Sequence, residues 1–258
     1  MLAIMSATHE ELASIVSSLA GASTQEFGRR HYHCGRLAGA EVVAVFSRWG
    51  KVAAAATAAQ LISSFAATRI VFSGVAGAVR PSLAIGDVVV ASSLLQHDMD
   101  AMPLYPRYEV PLLGKALFAP DARLRAQLSA AAQGFLKNDL KAAVPAAELS
   151  HFKIHAPKVI EGVIASGDKF FASAADLALL RRQLPDAACV EMEGAAVAQV
   201  CEEYAVPFGV VRTISDSADE NSVHDFPRFS REIAGRYSLG VVLRFLAARA
   251  ATATKDHT

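Results

Sequence analysis

Three short apolar runs in this 258-residue chain end in acidic side chains. Leu2–Ser6 runs into Ala7-Thr8-His9-Glu10-Glu11, Ala188–Met192 carries Glu191 and leads to Glu193, and Phe208–Ile214 leads to Ser215-Asp216. Carboxylates held at separate strand ends can divide acid and base work between them, provided their surroundings set different proton affinities. Asp216, at the tip of its run, is the best single candidate for a catalytic acid; the competing reading makes it the cap of a following turn. Glu10 and Glu11 both fit a first helical turn, where acids complement the helix dipole, and Glu10 is expected to do only that. Arg212 stands inside an apolar run and must be paired if that run is buried, with Glu11 or Glu193 as candidate partners. Gly74 and Gly77, after the run Arg69–Phe72, read as a turn that lets backbone approach a ligand. His97-Asp98-Met99-Asp100 holds metal-ligating types, but no second cluster completes a site, so a hydrogen-bonded loop and no metal are expected. No GxSxG elbow, phosphate-binding glycine loop or CxxC pair occurs. Acid–base bond cleavage without a cofactor is the chemistry that remains.

These residues need a scaffold, and the chain alternates β-like with helical runs, the pattern of an α/β fold. Strands are expected at Leu2–Ser6, Arg69–Phe72, Asp87–Leu95, Val159–Ala165, Ala188–Met192 and Phe208–Ile214, with a hairpin from Tyr32–Leu37 and Glu41–Phe46. Helices are expected at Glu10–Leu19 with Thr8 as cap, Lys51–Phe65, Asp121–Phe135, from Ser173 as cap to Gln183, Gly194–Tyr204 and Phe229–Ala248. Met102–Gly114 holds three prolines and a glycine and reads as a loop, with Leu104, Tyr105, Tyr108, Val110, Leu112 and Leu113 as a large apolar surface. Residues 136–158 give no clear pattern. One domain over residues 1–250 is expected, with a frayed polar tail over 251–258.

Composition narrows the class. Apolar residues make up 53% and charged residues 19%, which excludes global disorder. Lys plus Arg and Asp plus Glu both number 25, so no cationic surface for nucleic acid or membrane is expected. Cys34, Cys189 and Cys201 are too few and too scattered for a disulfide framework, which fits a reducing compartment. No basic segment opens the chain and no stretch is apolar enough to span a bilayer, so a cytoplasmic protein is expected.

The motifs ATHEE (Ala7–Glu11), GKVAA (Gly50–Ala54), GVAG (Gly74–Gly77), GDVV (Gly86–Val89), His97-Asp98, ASGD (Ala165–Asp168), EMEGAA (Glu191–Ala196) and VRTISD (Val211–Asp216) follow one another in this order. Together they resemble the nucleoside phosphorylase/hydrolase superfamily, in particular its 5′-methylthioadenosine/S-adenosylhomocysteine nucleosidase family. EMEGAA followed by RTISD is the specific part. The resemblance implies an α/β three-layer αβα sandwich around a twisted mixed β-sheet. It implies a homodimer with shared active sites, acting on a small nucleoside without metal or cofactor. The reaction would be hydrolysis of the N-glycosidic bond of 5′-thio-substituted adenosines, releasing adenine. By the same resemblance Asp216 protonates N7 of the adenine, Glu11 activates the water, and Arg212 helps place the water or Glu11. Glu193 and Met192 hold the ribose hydroxyls, Phe170 stacks on the purine, the Phe171 backbone reads its edge, and Phe226 lines the 5′ pocket. Gly74, Val75, Ala76 and Ser215 complete the substrate-binding set. Two positions depart from the usual pattern, Trp49 for an aliphatic residue and Val75 for a small hydroxyl residue, and the segment 103–157 is longer than usual. The rivals are a purine nucleoside phosphorylase, a hydrolase of a futalosine-type nucleoside, and a non-catalytic nucleoside-binding protein. Against the first stand acids where a phosphate-binding arginine would be needed. Against the last stands the full set Glu11, Glu193 and Asp216.

Overall fold

Leu2 and Ile4 alternate with Ala3 and Met5, so both faces of the first strand are apolar and both must be covered. That strand, β1 (Leu2–Ser6), is buried along its whole length. Leu2 and Ile4 join a core with Leu12 and Ile15 of α1 (His9–Ser17), Leu124 and Leu128 of α3 (Ala122–Asn138), and Tyr237 and Phe245 of α9 (Gly235–Lys255). Ala3 and Met5 join another with Ala54, Ala58 and Leu61 of α2 (Lys51–Phe65) and Val197 of α7 (Gly194–Glu203). Helices thus cover the sheet from both sides, giving the expected three layers. Each fully buried Leu, Ile or Phe contributes about 1.5–3 kcal/mol to this arrangement. The computed structural model describes residues 1–255, with side chains described through 249.

The remaining strands are β2 (Ala20–Phe27), β3 (Arg30–Leu37), β4 (Ala40–Phe46), β5 (Arg69–Ala78), β6 (Val88–Gln96), β7 (Val159–Ser166), β8 (Ala187–Glu191) and β9 (Phe208–Asp216). They form one mixed sheet in the order β2-β3-β4-β1-β5-β8-β7-β6-β9. Strand β9 also pairs with β5, in parallel, from Ile70 opposite Phe208 to Gly77 opposite Asp216. The sheet therefore curls until β5, β8, β7, β6 and β9 close on themselves. The ends of β5, β8 and β9 meet at this closure, and the site is built there.

Several expectations change. The glycine segment 73–78 is not a turn: β5 continues through it to Ala78, because it pairs with both β8 and β9. The hairpin gains an edge strand, β2, which is exposed throughout and so carries no apolar alternation to reveal it. The long terminal helix is three pieces, α8 (Ser222–Phe229), a π-helical turn at Ser230–Ala234, and α9. Pro227 lies inside α8 and interrupts its hydrogen-bond ladder. Residues 136–158 add two short helices, α4 (Leu140–Ala143) and α5 (Ala146–His151), before α6 (Ala174–Gln183). In the Met102–Gly114 loop, Leu104 and Leu112 are exposed as expected, whereas Val110 is buried and Leu113 packs against the core. Of the expected tail, helix α9 reaches Lys255, and residues 256–258 lie outside the described residues. Among the described residues no helix is long and apolar enough to cross a membrane.

Candidate active site

Glu11, Glu193 and Asp216 converge on one cavity of about 570 Å³, counting its open mouth. It lies beyond the strand ends, where open α/β folds place ligands. All three carboxylates are at most 5% exposed.

Glu11 is fixed by the start of α1. The Thr8 hydroxyl accepts from the Glu11 N–H at 3.2 Å, and Glu11 Oε2 accepts from the N–H groups of Ala7 (2.8 Å) and Thr8 (3.0 Å). This is a capping box. The other oxygen accepts from the Val75 N–H at 3.1 Å. Glu11 is thus both a helix-cap partner and a cavity wall. Burial pushes its carboxyl above the ordinary range, against the pull of Arg212 and the three N–H donors.

Glu193 follows the end of β8 and precedes α7. Its Oε1 accepts from the Gly50 N–H at 2.8 Å. Burial and then the charge of Glu191 push its carboxyl up, while the Gly50 N–H and Arg212 oppose this. Asp216 ends β9. Its Oδ1 accepts from the Ala218 N–H (2.8 Å) and the Ser222 hydroxyl (2.7 Å), and Oδ2 meets the Ser215 hydroxyl at 2.8 Å. Burial raises its proton affinity despite these donors. A buried carboxyl that keeps its proton is the form a general acid needs.

The β5–β9 pairing aims Asp216. Ala76 opposes Ile214 and Gly77 opposes Asp216, so Ser215 is an extra residue on β9, a bulge that redirects the strand end and the Asp216 side chain. Gly77 makes room for the result: a Cβ there would lie 2.9 Å from Asp216 Oδ1 and 2.9 Å from the Ala218 Cβ.

Arg212 corrects an expectation. Its partner is neither Glu11 nor Glu193 but Glu191, at 2.7 Å from Nη2 and 3.2 Å from Nε. Nη1 donates to the carbonyls of Phe72 and Val211, and the guanidinium lies 4.1 Å from the Phe72 ring centre. Arg212 does not line the cavity, so it is not placed to hold water; it acts on Glu11 and Glu193 through its charge. Glu191 also accepts from the Gly194 N–H at 2.8 Å and from the Ser166 hydroxyl. The chain turns after β8: Glu191 and Glu193 both line the cavity, Glu191 holding Arg212 and Glu193 reaching the Gly50 N–H.

Of the other expected residues, Val75, Ala76, Ser215, Met192, Phe170, Phe171, Trp49 and Phe226 all line the cavity. Gly74 does not: it lies behind Glu11, where a Cβ would stand 3.2 Å from Oε1. Phe170 and Trp49 flank Phe226 at ring-centre distances of 5.6 and 5.8 Å, forming an aromatic rim at the mouth. Sequence reasoning missed Ser222, the Gly50 N–H and Lys169 of the wall. Ser222 and Gly50 touch the carboxylates only through folding of distant segments, and no local pattern marks them. Asp98, next to His97, is paired with Lys51 at 2.7 Å. Among the described residues no group of three or more His, Cys, Asp or Glu could hold a metal ion.

Known proteins are similar to this one over nearly the whole chain. The family model of the Phosphorylase superfamily matches residues 1–247. A 5′-methylthioadenosine/S-adenosylhomocysteine nucleosidase of Shewanella denitrificans is 34% identical over 247 residues, covering 95% of this chain and 98% of the relative. The crystal structure of the nucleosidase of that name from Colwellia psychrerythraea, in complex with adenine, superposes with a TM-score of 0.84 at 34% identity, covering 95% of this chain and 94% of that one. A futalosine hydrolase of Helicobacter pylori superposes with a TM-score of 0.81 at 29% identity, covering 96% of this chain and 98% of that one.

Proposed function

The chain belongs to the phosphorylase superfamily and, within it, to the 5′-methylthioadenosine/S-adenosylhomocysteine nucleosidase family, and from that premise we propose how it works. It is a hydrolytic N-glycosidase that releases adenine from 5′-thio-substituted adenosines. The observation that carries the mechanism is the convergence of the buried carboxylates Asp216, Glu11 and Glu193 on one cavity.

Asp216 gives its proton to N7 of the adenine. The C1′–N9 bond then breaks with its electron pair going to the base, and C1′ becomes oxocarbenium-like. Water adds to C1′ and loses its proton to Glu11. A positioned acid or base contributes roughly 10²–10⁴-fold. Glu193, aimed by the Gly50 N–H, holds the ribose hydroxyls beside Met192. Phe170, 40% exposed, offers a face for the purine, and the Phe171 backbone reads the purine edge. Arg212 is a positioning residue behind the cavity wall, held by Glu191. The rim of Trp49 and Phe226 receives the 5′ substituent.

We further take residues 1–250 as one catalytic domain, a reading supported by the family match over 1–247. A cytoplasmic setting is supported by the free thiols of Cys34, Cys189 and Cys201. A homodimer with shared sites is supported by Leu104 and Leu112, which are 84% and 91% exposed on one loop.

The test is adenine release from a panel of 5′-methylthioadenosine, S-adenosylhomocysteine, a futalosine-type nucleoside and inosine. The highest specificity constants are expected for the two thio-nucleosides. A highest value for the futalosine type would move the chain to the hydrolase reading, and release from none would overturn both.

A further inference from the structure

Three segments meet beside the cavity without lining it, through Lys51, Asp98 and Asp168. The Lys51 ammonium, at the start of α2, donates to Asp98 Oδ1 at 2.7 Å and to Gln96 Oε1 at 3.0 Å. Asp98 Oδ2 accepts from the Asp168 N–H at 2.9 Å. Asp168 Oδ1 in turn accepts from the Lys51 N–H at 2.7 Å, so the three residues close a ring of contacts. The ammonium and the Asp98 carboxylate are only 17% and 32% exposed, which limits screening by solvent and salt.

What the ring holds is the site. The residue before Lys51 is Gly50, whose N–H aims Glu193, and before that stands Trp49 on the cavity rim. The residues after Asp168 are Lys169, Phe170 and Phe171, all on the cavity wall. Gly50 has φ +91°, and a Cβ there would lie 3.0 Å from Asp168 Oδ1, so a side chain at this position would crowd the carboxylate that accepts from the Lys51 N–H.

We propose that Lys51, Asp98 and Asp168 form a positioning latch that sets the segment aiming Glu193 in register with the segment carrying Phe170, so that ribose and base are gripped at a fixed separation. The latch rests on the reading of Glu193 and Phe170 given above. It acts through these residues and touches no substrate itself. Its loss therefore weakens ground-state and transition-state binding alike, which raises KM more than it lowers kcat.

Trp49 is the only tryptophan in the chain and sits on one latched segment, so its fluorescence reports the latch without any turnover. Lys51→Met removes the ammonium, Asp168→Ala removes the acceptor for the Lys51 N–H, and Asp168→Asn keeps an acceptor oxygen there. In the two breaking variants KM for 5′-methylthioadenosine is expected to rise roughly tenfold with kcat within a factor of about three, while Asp168→Asn stays within a factor of about two of the parent. Acrylamide quenching of Trp49 is expected to rise in the breaking variants alone. Circular dichroism and melting identify any variant that fails to fold, and Asp168→Ala against Asp168→Asn decides the matter if Lys51→Met does not fold. Parental KM and quenching in the breaking variants would overturn the latch. So would a fall in kcat at unchanged KM, or Asp168→Asn as damaging as Asp168→Ala. A parent that releases no adenine would instead overturn the functional reading, and the quenching comparison would still stand or fall alone.

Discussion

Asp216 concentrates the account at the scale of single residues. Asp216→Asn keeps the size and the contacts, since an amide oxygen can accept from Ala218 and Ser222 and an amide nitrogen can donate to Ser215. It cannot supply a proton to N7 with useful acidity. Turnover is expected to fall roughly 10²–10⁴-fold, while adenine affinity measured by calorimetry stays near that of the parent. A rate within a few-fold of the parent would make Asp216 a turn cap. The same substitution carries a stability signature. Folding raises the proton affinity of this carboxyl above its ordinary value of 3.8, mainly through burial. The stabilising contribution of the protonated carboxyl is therefore complete below 3.8 and is lost as pH rises through the folded value. Asn does not titrate, so Asp216→Asn is expected to melt above the parent at pH 8, with the gap closing toward pH 4. A gap that widens on acidification would contradict the raised proton affinity. The sequence singled out Asp216 as an acid at the tip of an apolar run, whereas Glu11 read locally as a helix first-turn acid and entered the candidate site only through the family resemblance. It also showed that Arg212 needed a partner. It did not show which one, because the turn after Glu191 decides whether that carboxylate or Glu193 faces the arginine.

At the scale of elements, the pairing of β5 with β9 is what turns two ordinary strands into a site. The bulge at Ser215 aims Asp216, and Gly77 leaves it space. Gly77→Ala would push a methyl group to 2.9 Å from both Asp216 Oδ1 and the Ala218 Cβ, both parts of one tight corner. We expect a loss of kcat comparable to that of Asp216→Asn with the far-UV spectrum retained, read by steady-state assay and circular dichroism. Parental kcat would mean that the corner yields without moving the acid. Strands with two apolar faces, such as β1 and β9, announce themselves in sequence, as do helices with hydroxyl caps at Thr8 and Ser173. The continuation of β5 through Gly74 and Gly77 does not, because glycine is a turn signal locally and only the β8 and β9 partners make that segment a strand. The edge strand β2 is hidden for the opposite reason: with every residue exposed, nothing forces its side chains to alternate.

For the whole molecule, the α/β class follows from strand–helix alternation and the three layers around a mixed sheet from the resemblance, whereas the closure of the sheet through β5 and β9 and the assembly depend on contacts between distant segments and on surfaces that a single chain leaves open. If Leu104 and Leu112 sit in a dimer interface, Leu104→Glu with Leu112→Glu is expected to convert a dimer to monomers in light scattering at micromolar concentration and to lower activity with it. An unchanged mass would place the interface elsewhere, and full activity as a monomer would end the shared-site reading. The central claim, cleavage by water at a site of three carboxylates, is tested most directly by product accounting without phosphate. Parent enzyme and Asp216→Asn are incubated with 5′-methylthioadenosine in phosphate-free buffer and again with added phosphate, and adenine, reducing sugar and sugar phosphate are quantified. The account predicts equal adenine and reducing sugar from the parent at the same rate in both buffers, no sugar phosphate, and near-complete loss in the variant. A strict requirement for phosphate with a sugar 1-phosphate as product would contradict it.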